Sequence, residues 1–514
     1  MQKNRQIDLD ILLADVPPIR SIGNAPDEAQ SIRLVSSDSR EIPRYGVNAL
    51  FVAITGAVFD GHAFVRAAYD AGCRVFALSH ECALPSDALQ LIYPDTRKAL
   101  ALLSASLYRH PSKKLMVIGI TGTKGKTTTA LLAKKILTDA GVPTGYVGTN
   151  GIHYKDVSYE TPNTTPESTV LQRVLCEMAE AGIRVALIEV SSQALMQHRV
   201  YGIEFHATVF TNLSPDHIGG NEHPDFEHYK ETKRLLFTRY PSKKVIINRD
   251  DPYATEFLPS DERAVKAFSS SPSAEKKRGL MPPCLFASEI TPSAEENRVG
   301  VSFLIHGEEI NQKALPAFLP LPGACNVQNA LAALLIAKGV GVPIEKTVPL
   351  LREASIEGRC EAVSTENGAR VLIDYAHNEA SLREILTALR DYTDGRLIVL
   401  FGSVGGRTKE RRAPMGAVAS SLADFCILTS DNPDLEPPED IISDIARGFV
   451  SDCPYVTIPD RAEAIRYGLS IMKKGDLLLL AGKGHEVYQL VNGEKRPFSE
   501  KEIVREWLSH VPHA

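Results

Sequence analysis

The stretch Val117-Ile-Gly-Ile-Thr-Gly-Thr-Lys-Gly-Lys-Thr-Thr-Thr129 decides how the rest of this chain is read. The apolar run Leu115 to Ile120 predicts a buried strand, a glycine-rich turn follows, and Thr127 to Ala140 has helical periodicity that stops at Gly141. Strand, glycine-rich loop, Lys-Thr and helix in that order make a phosphate cradle. Backbone N–H groups and a helix N-terminus face the anion, Lys126 reaches the outer phosphates, and Thr127 offers a hydroxyl to Mg²⁺. Gly122, Thr123, Lys124, Gly125, Lys126, Thr127 and Thr128 are the expected triphosphate contacts. Ile120 stands where the first glycine of G-x-x-x-x-G-K-[ST] belongs, so an ordinary strand–helix turn is the bland alternative.

Composition bounds what such a loop can serve. With 514 residues the chain is too long for one core. Its 44% hydrophobic and 23% charged content is that of a soluble globular protein, and a net charge of -6 disfavours a nucleic-acid surface. No apolar stretch is long enough to span a bilayer, and MQKNRQIDLD lacks the apolar core of a signal peptide. The 8 cysteines are scattered, without C-x-x-C or paired Cys/His spacing, which predicts reduced thiols in a cytoplasmic protein.

In the first 94 residues short apolar runs (Leu34-Val, Asn48 to Ile54) and one helix-like stretch (Phe64 to Ala71) predict a small α/β domain. Asp38-Ser39-Arg40 there reads by itself as a surface turn with a local Asp–Arg pair. Beyond the phosphate loop, apolar runs end in polar residues: Arg184–Val190 at Ser191-Ser192, Ala207–Thr211 at Asn212–His217, Lys244–Ile247 at Asn248–Asp251. Continuous apolar strands separated by helices imply a parallel sheet covered on both faces, with ligands at the carboxyl ends. Residues 258–300 read as loops and edge strands without visible chemistry, and Val327 to Lys338 as a helix. A third unit repeats the doubly wound pattern. Its strands end in Asp374-Tyr-Ala-His377, Gly402 to Arg407, Thr429 to Pro433 and Ala481-Gly-Lys-Gly-His-Glu486. The last helix opens with a capping box, Ser499 and Glu502.

Taken together, D-S-R, T-G-T-x-G-K-T-T, an N-x-x-N helix (Asn326 to Asn329), G-R-x-E (Gly358 to Glu361), D-Y-A-H, D-N-P and G-K-G-H-E resemble the Mur ligase family. The muramyl-tripeptide synthetase branch is the most similar. The resemblance covers nearly the whole chain, and the order and spacing of the motifs make it specific. It implies three domains: a small N-terminal α/β domain for the UDP substrate (1–94), a central P-loop domain with a doubly wound parallel sheet (95–354), and a C-terminal Rossmann-like α/β domain (355–514). It further implies ATP and Mg²⁺ as cofactors, small-molecule substrates without nucleic acid or membrane, and a monomer.

The same resemblance implies site residues. Lys126, Lys233, His217 and Glu189 would be catalytic, with Thr127, Glu189 and His217 holding Mg²⁺. Lys233 would be carried as N6-carboxylysine, with Lys230 a nearby decoy. Asn329, Arg359 and Asp374 would contact adenine and ribose. Ser37, Ser39 and the Ala57-Val58-Phe59 loop would hold the uridine end of UDP-MurNAc-L-Ala-D-Glu, and Asn163, Thr164, Thr165, Ser191, Gln197 and Arg199 its peptide end. Read as single residues, Glu189 is equally a core glutamate with an ion-pair partner and His217 a loop histidine. The segment His217–Asp225 departs from the usual H-L-D-[YF]-H-G pattern.

The incoming amino acid would meet Arg407, Asp431, Asn432, Pro433, Asp434, Gly482 and Glu486. Enzymes of this branch that add meso-diaminopimelate usually read D-N-P-R, whose arginine grips a distal carboxylate. Asp434 stands there instead. Reversing one close charge is worth on the order of a few kcal/mol, so a mono-carboxylate diamino acid such as lysine or ornithine is the expected acceptor, with diaminopimelate second. Two further readings are a folylpolyglutamate- or cyanophycin-type ligase sharing the ATP machinery, and a nucleotide-binding paralogue without ligase activity.

Overall fold

The computed structural model describes residues 5–56, 59–216, 218–219, 222–240, 242–259, 264–271, 283–295, 298–364, 369–406 and 409–510. The chain divides into two units, the first of residues 1–269, 273–284 and 332–347, the second of 270–272, 285–331 and 348–514.

The first unit carries a two-stranded antiparallel pair, Ile7–Asp8 with Ser31–Ile32, and two larger sheets. Its N-terminal sheet runs in the order Arg20–Ile22, Leu89–Ile92, Val75–Leu78, Ala49–Val52, Leu34–Ser36, parallel except at the Arg20–Ile22 edge. Leu50, Val52, Val75 and Ala77 pack on one face and Ala49, Phe51, Phe76 and Leu78 on the other. Both faces are covered, and for that reason the run 49–52 lacks apolar–polar alternation.

The larger sheet places Thr144–Gly148, Val185–Glu189, Met116–Thr121, Phe205–Phe210, Ser242–Asn248 and Ala264–Ser269 side by side, all parallel. Gly151–Tyr154 and Val157–Tyr159 extend it antiparallel at the Thr144–Gly148 edge. Strand order reverses at Met116–Thr121. The next strand in sequence lies two places away on one side, while Phe205–Phe210 lies on the other. Such a switch point opens a crevice at the carboxyl ends, and the phosphate loop leaves the sheet there. The helix that follows, Lys126–Asp139, starts after Gly125 at φ +79°. It closes with Gly141 at φ +81°, where Gly141 N–H donates to the Thr138 carbonyl and Val142 N–H to that of Leu137. Glycine takes this left-handed position without steric cost, so Gly141 marks the helix end in both sequence and structure.

The second unit has a six-stranded sheet in the order Glu361–Ser364, Arg370–Asp374, Leu477–Ala481, Leu397–Phe401, Phe425–Leu428, Tyr455–Thr457, parallel except for the first pair. The strand ends Asp374, Phe401, Leu428 and Ala481 therefore share one rim. The segment expected to be loops and edge strands is more ordered than its composition predicts. Leu285–Glu295 and Arg298–His306 form a long antiparallel hairpin, and Leu315–Leu319 adds to it. A register shift between Ser288 and Thr291, with Glu289 at φ +52°, breaks the period-two pattern by which such a strand is recognised. At the C-terminal helix the Ser499 hydroxyl accepts from Glu502 N–H at 3.3 Å, the first half of the expected box.

Candidate active site

The phosphate loop is held mainly by backbone. Thr123 N–H donates to the Asn212 carbonyl at 2.9 Å, and the Asn212 side chain clamps Lys124, accepting from its N–H at 2.9 Å and donating to its carbonyl at 3.0 Å. Gly122 (φ +150°) is obligatory, since a Cβ there would lie 2.0 Å from Thr211 Oγ1. Lys126 Nζ donates to the Gly122 and Thr123 carbonyls at 2.9 Å each. Helix Phe226–Thr238 brings Lys233 Nζ to the same Gly122 carbonyl at 3.0 Å, with Tyr229 OH on Thr123 Oγ1 at 3.2 Å. Burial, reinforced by the Lys126 charge, pushes the Lys233 ammonium well below its ordinary range. Lys230, one turn earlier on the same helix, pairs with Glu227 and Glu256.

Glu189, at the end of its strand, is fully buried. It accepts from Thr127 Oγ1 at 3.0 Å, from Thr149 N–H and Oγ1 at 3.2 Å each, and from Tyr146 OH. Among the described residues its partners are hydroxyl and N–H donors and no cation pairs with it. A hydroxyl and a carboxylate side by side next to the phosphate loop are hard oxygen donors of the kind Mg²⁺ takes. Residue 148 has no side chain to intrude, because a Cβ would lie 2.3 Å from Glu189 Oε1. The residues present therefore fit both a triphosphate and Mg²⁺. His217, expected as a further ligand, lies outside the described residues.

The residues expected at the peptide end form one connected patch beside Glu189. Thr165 Oγ1 donates to the Glu189 carbonyl at 2.7 Å and accepts from Ser191 N–H at 3.1 Å. Ser191 caps a short helix by accepting from Ala194 N–H, and Thr164 Oγ1 meets Thr149 Oγ1 at 3.1 Å. Arg199 is buried and already engaged. It donates to Gln197 Oε1 at 2.7 Å and the Thr165 carbonyl at 2.9 Å, and Glu167 lies 2.9 Å from its Nε. Asn163 is half-buried beside this patch in sequence. At the expected uridine end Ser37 is exposed, Ser39 half-buried and Phe59 71% exposed, while Ala57 and Val58 lie outside the described residues. Asp38 accepts from Arg40 N–H and pairs with its guanidinium in solvent, the local turn the sequence allows. A groove of about 1000 Å³ lined by Asp8, Asp15, Arg109 and His110 shares no residue with these groups.

In the second unit, Asp374 is buried and accepts from Cys360 and Ala376 N–H at 2.9 and 2.8 Å. Burial raises its carboxyl above the usual range against the opposing pull of Arg359, whose guanidinium lies over the Tyr375 ring at 4.9 Å. Asn329 bonds Asn326 at 3.1 Å within its helix. On the same rim, Asn432 Nδ2 donates to Glu486 Oε2 at 2.9 Å, and Gly482 (φ +116°) leaves room for Asp431, whose Oδ2 would meet a Cβ at 2.8 Å. Pro433 is buried, and its carbonyl abuts Gly405. Asp434 takes φ +52° and accepts from Gly493 N–H at 2.9 Å, so its carboxylate also caps a hairpin turn. Arg407 lies outside the described residues.

Several residues here escaped the sequence reading. Arg461, fully buried, binds the Ser430 and Ala481 carbonyls at 3.0 and 2.8 Å and Glu500 at 2.8 Å, tying two rim loops together. Lys483 sits among Asp431, Asn432 and Glu486, and Tyr146 and Asn212 brace the phosphate side. Lys483 stood in view inside G-K-G-H-E. Arg461, Tyr146 and Asn212 carry no local signal, because their partners are distant in sequence.

Comparison with known proteins gives the family. The Mur ligase middle domain matches residues 120–337, and the Mur ligase, glutamate ligase domain matches 358–484. A UDP-N-acetylmuramoyl-L-alanyl-D-glutamate--2,6-diaminopimelate ligase of Caldanaerobacter subterraneus subsp. tengcongensis is 39% identical over 477 residues, 92% of this chain and 94% of that protein. The protein of the same name from Chlorobaculum tepidum is 40% identical, covering 91% of each. A solved structure of a ligase bearing that name aligns over 99% of this chain and 100% of its own, at TM-score 0.69 and 26% identity. Among the described residues no helix is long and apolar enough to cross a membrane.

Proposed function

The chain belongs to the Mur ligase family and is an ATP-dependent ligase with Mg²⁺ as cofactor, and on that premise we propose that it adds a diamino acid to UDP-MurNAc-L-Ala-D-Glu. The observation that carries this reading is the convergence of Lys126 and Lys233 on the phosphate loop beside the buried Thr127–Glu189 pair. A carboxylate and an amine do not condense in water. The terminal D-Glu carboxylate takes the γ-phosphoryl group of ATP as an acyl phosphate, releasing ADP. The incoming amine then attacks the acyl carbon, inorganic phosphate leaves, and the amine gives up a proton. Moving a phosphoryl group between anions calls for positive charge and orientation. Lys126 and the first-turn N–H groups of Lys126–Asp139 supply both, because a helix cannot satisfy those donors itself. Mg²⁺ held by Thr127, Glu189 and His217 would supply further charge compensation on the phosphates.

Lys233 is proposed as the carbamylated lysine. Its burial favours the neutral amine, the form able to add CO₂. The Thr165–Ser191–Arg199 patch would receive the peptide, Ser37, Ser39 and the 57–59 loop the uridine, and Asn329, Arg359 and Asp374 the nucleoside of ATP. The boundaries 1–94, 95–354 and 355–514 belong to the same proposal.

The acceptor turns on Asp434. Asp431, Asp434 and Glu486 bring three carboxylates to one rim against the Lys483 cation. That balance supports an acceptor ending in an ammonium alone, such as lysine or ornithine. The names of the relatives support diaminopimelate as the second reading. ADP release measured with UDP-MurNAc-L-Ala-D-Glu and each amino acid decides between them. Selective turnover of diaminopimelate overturns the charge argument, and ADP release with a folate substrate alone overturns the whole reading.

A further inference from the structure

We infer that Lys483 is a positioning residue for acceptor selection: it locks Glu486 so that a single carboxylate oxygen faces the incoming ammonium. This rests on the acceptor site proposed above. Lys483 is fully buried. Its Nζ donates to Glu486 Oε2 at 2.9 Å and to Asn432 Oδ1 at 3.0 Å, with Asp431 Oδ1 at 3.5 Å. Asn432 closes the ring by donating from Nδ2 to the same Glu486 Oε2 at 2.9 Å. Its Oδ1 also accepts from Leu490 N–H at 2.9 Å, which fixes the amide orientation. Glu486 Oε2 thus receives two donors, whereas Oε1 accepts none among the described residues.

A carboxylate with one oxygen saturated and the other open presents its remaining charge in one direction. The half-buried Glu486 side chain could otherwise rotate, and Asp431 would repel it. Lys483 removes both freedoms. It connects the loop after Phe425–Leu428 to the loop after Leu477–Ala481, so the two halves of the rim hold one geometry. Because it donates to Asn432 and Glu486 and pairs with Asp431, the lysine itself is spent within the protein and does not touch the acceptor.

Replacing Lys483 by methionine keeps the volume and removes the charge. The expected result is a rise in the KM of the diamino acid of at least roughly tenfold, as for a severed buried charge pair, with the KM of ATP and of UDP-MurNAc-L-Ala-D-Glu unchanged. Lys483→Met combined with Glu486→Gln should cost less than the sum of the two, because they break one contact. Lys483→Arg, which keeps the cation on a planar fork, should restore part of the acceptor KM. If Lys483→Met fails to fold, Lys483→Arg by itself should still raise the acceptor KM selectively. An unchanged acceptor KM, or equal losses for all three substrates, overturns the inference. Wild-type protein that ligates no diamino acid overturns instead the function on which it rests.

Discussion

The phosphate loop and the rim proposed to meet the acceptor both lie at carboxyl ends of parallel strands, yet they are built from different materials. Around Gly122–Thr128 the scaffold is backbone: carbonyls collect the ammonium groups of Lys126 and Lys233, and a Cβ at Gly122 would lie 2.0 Å from Thr211 Oγ1. Around Asp431–Asp434 and Gly482–Glu486 the scaffold is a buried side-chain network centred on Lys483 and Arg461. A backbone cradle recognises what every triphosphate shares, and its chemistry tolerates little variation. A side-chain network can be retuned one residue at a time, which suits a surface that chooses among amino acids.

The sharpest way to break this contrast is at the backbone cradle. Lys126→Ala should lower ligation by on the order of 10²–10³-fold, the usual loss when a preorganised charge donor is removed. Unchanged steady-state ADP release would contradict the mechanism. On the other side, Asp434→Arg should leave the ATP KM alone and shift the kcat/KM ratio toward diaminopimelate by roughly 10- to 100-fold. Competition between lysine and diaminopimelate reads this directly.

Stability separates the two regions further. Lys233 has a depressed pKa in the folded state, whereas the unfolded chain keeps its proton up to the ordinary lysine value of 10.5. Between those two values unfolding takes up a proton, so raising the pH stabilises the fold. In CO₂-free buffer the wild type should gain up to about 1.4 kcal/mol per pH unit over Lys233→Met in this window. Denaturant midpoints at pH 7, 8 and 9 measure it, and parallel pH dependence in the two proteins would remove the buried-ammonium argument. A smaller effect is expected at Asp225, whose Oδ1 accepts from His228 N–H at 2.7 Å to cap the helix carrying Lys233. Asp225→Ala should cost about 1 kcal/mol in thermal unfolding while leaving acceptor preference unchanged.

The fold was legible where one physical requirement controls many residues. Strands such as Val185–Glu189, buried on both faces, read as apolar runs, and Gly141 announced the end of its helix. The hairpin of 285–306 was not legible, because a register shift near Glu289 breaks the alternation that betrays a strand. In the site, Glu189 and Arg199 show the same limit. Composition allowed Glu189 an ion-pair partner, and the structure gives it four donors from hydroxyl and N–H groups instead. Arg199, expected at the peptide end of the substrate, lies against Glu167.

By itself the sequence determined the phosphate loop, the two doubly wound patterns and the family, since each rests on contacts between neighbours in the chain or on burial that a single strand records. Only the tertiary structure decided that Lys233 shares a carbonyl with Lys126 and that Lys483 leaves one oxygen of Glu486 open. The first closes 107 positions between Lys126 and Lys233, and the second needs Asn432, 51 positions from Lys483, to saturate the same oxygen; no local pattern encodes which buried group will meet which.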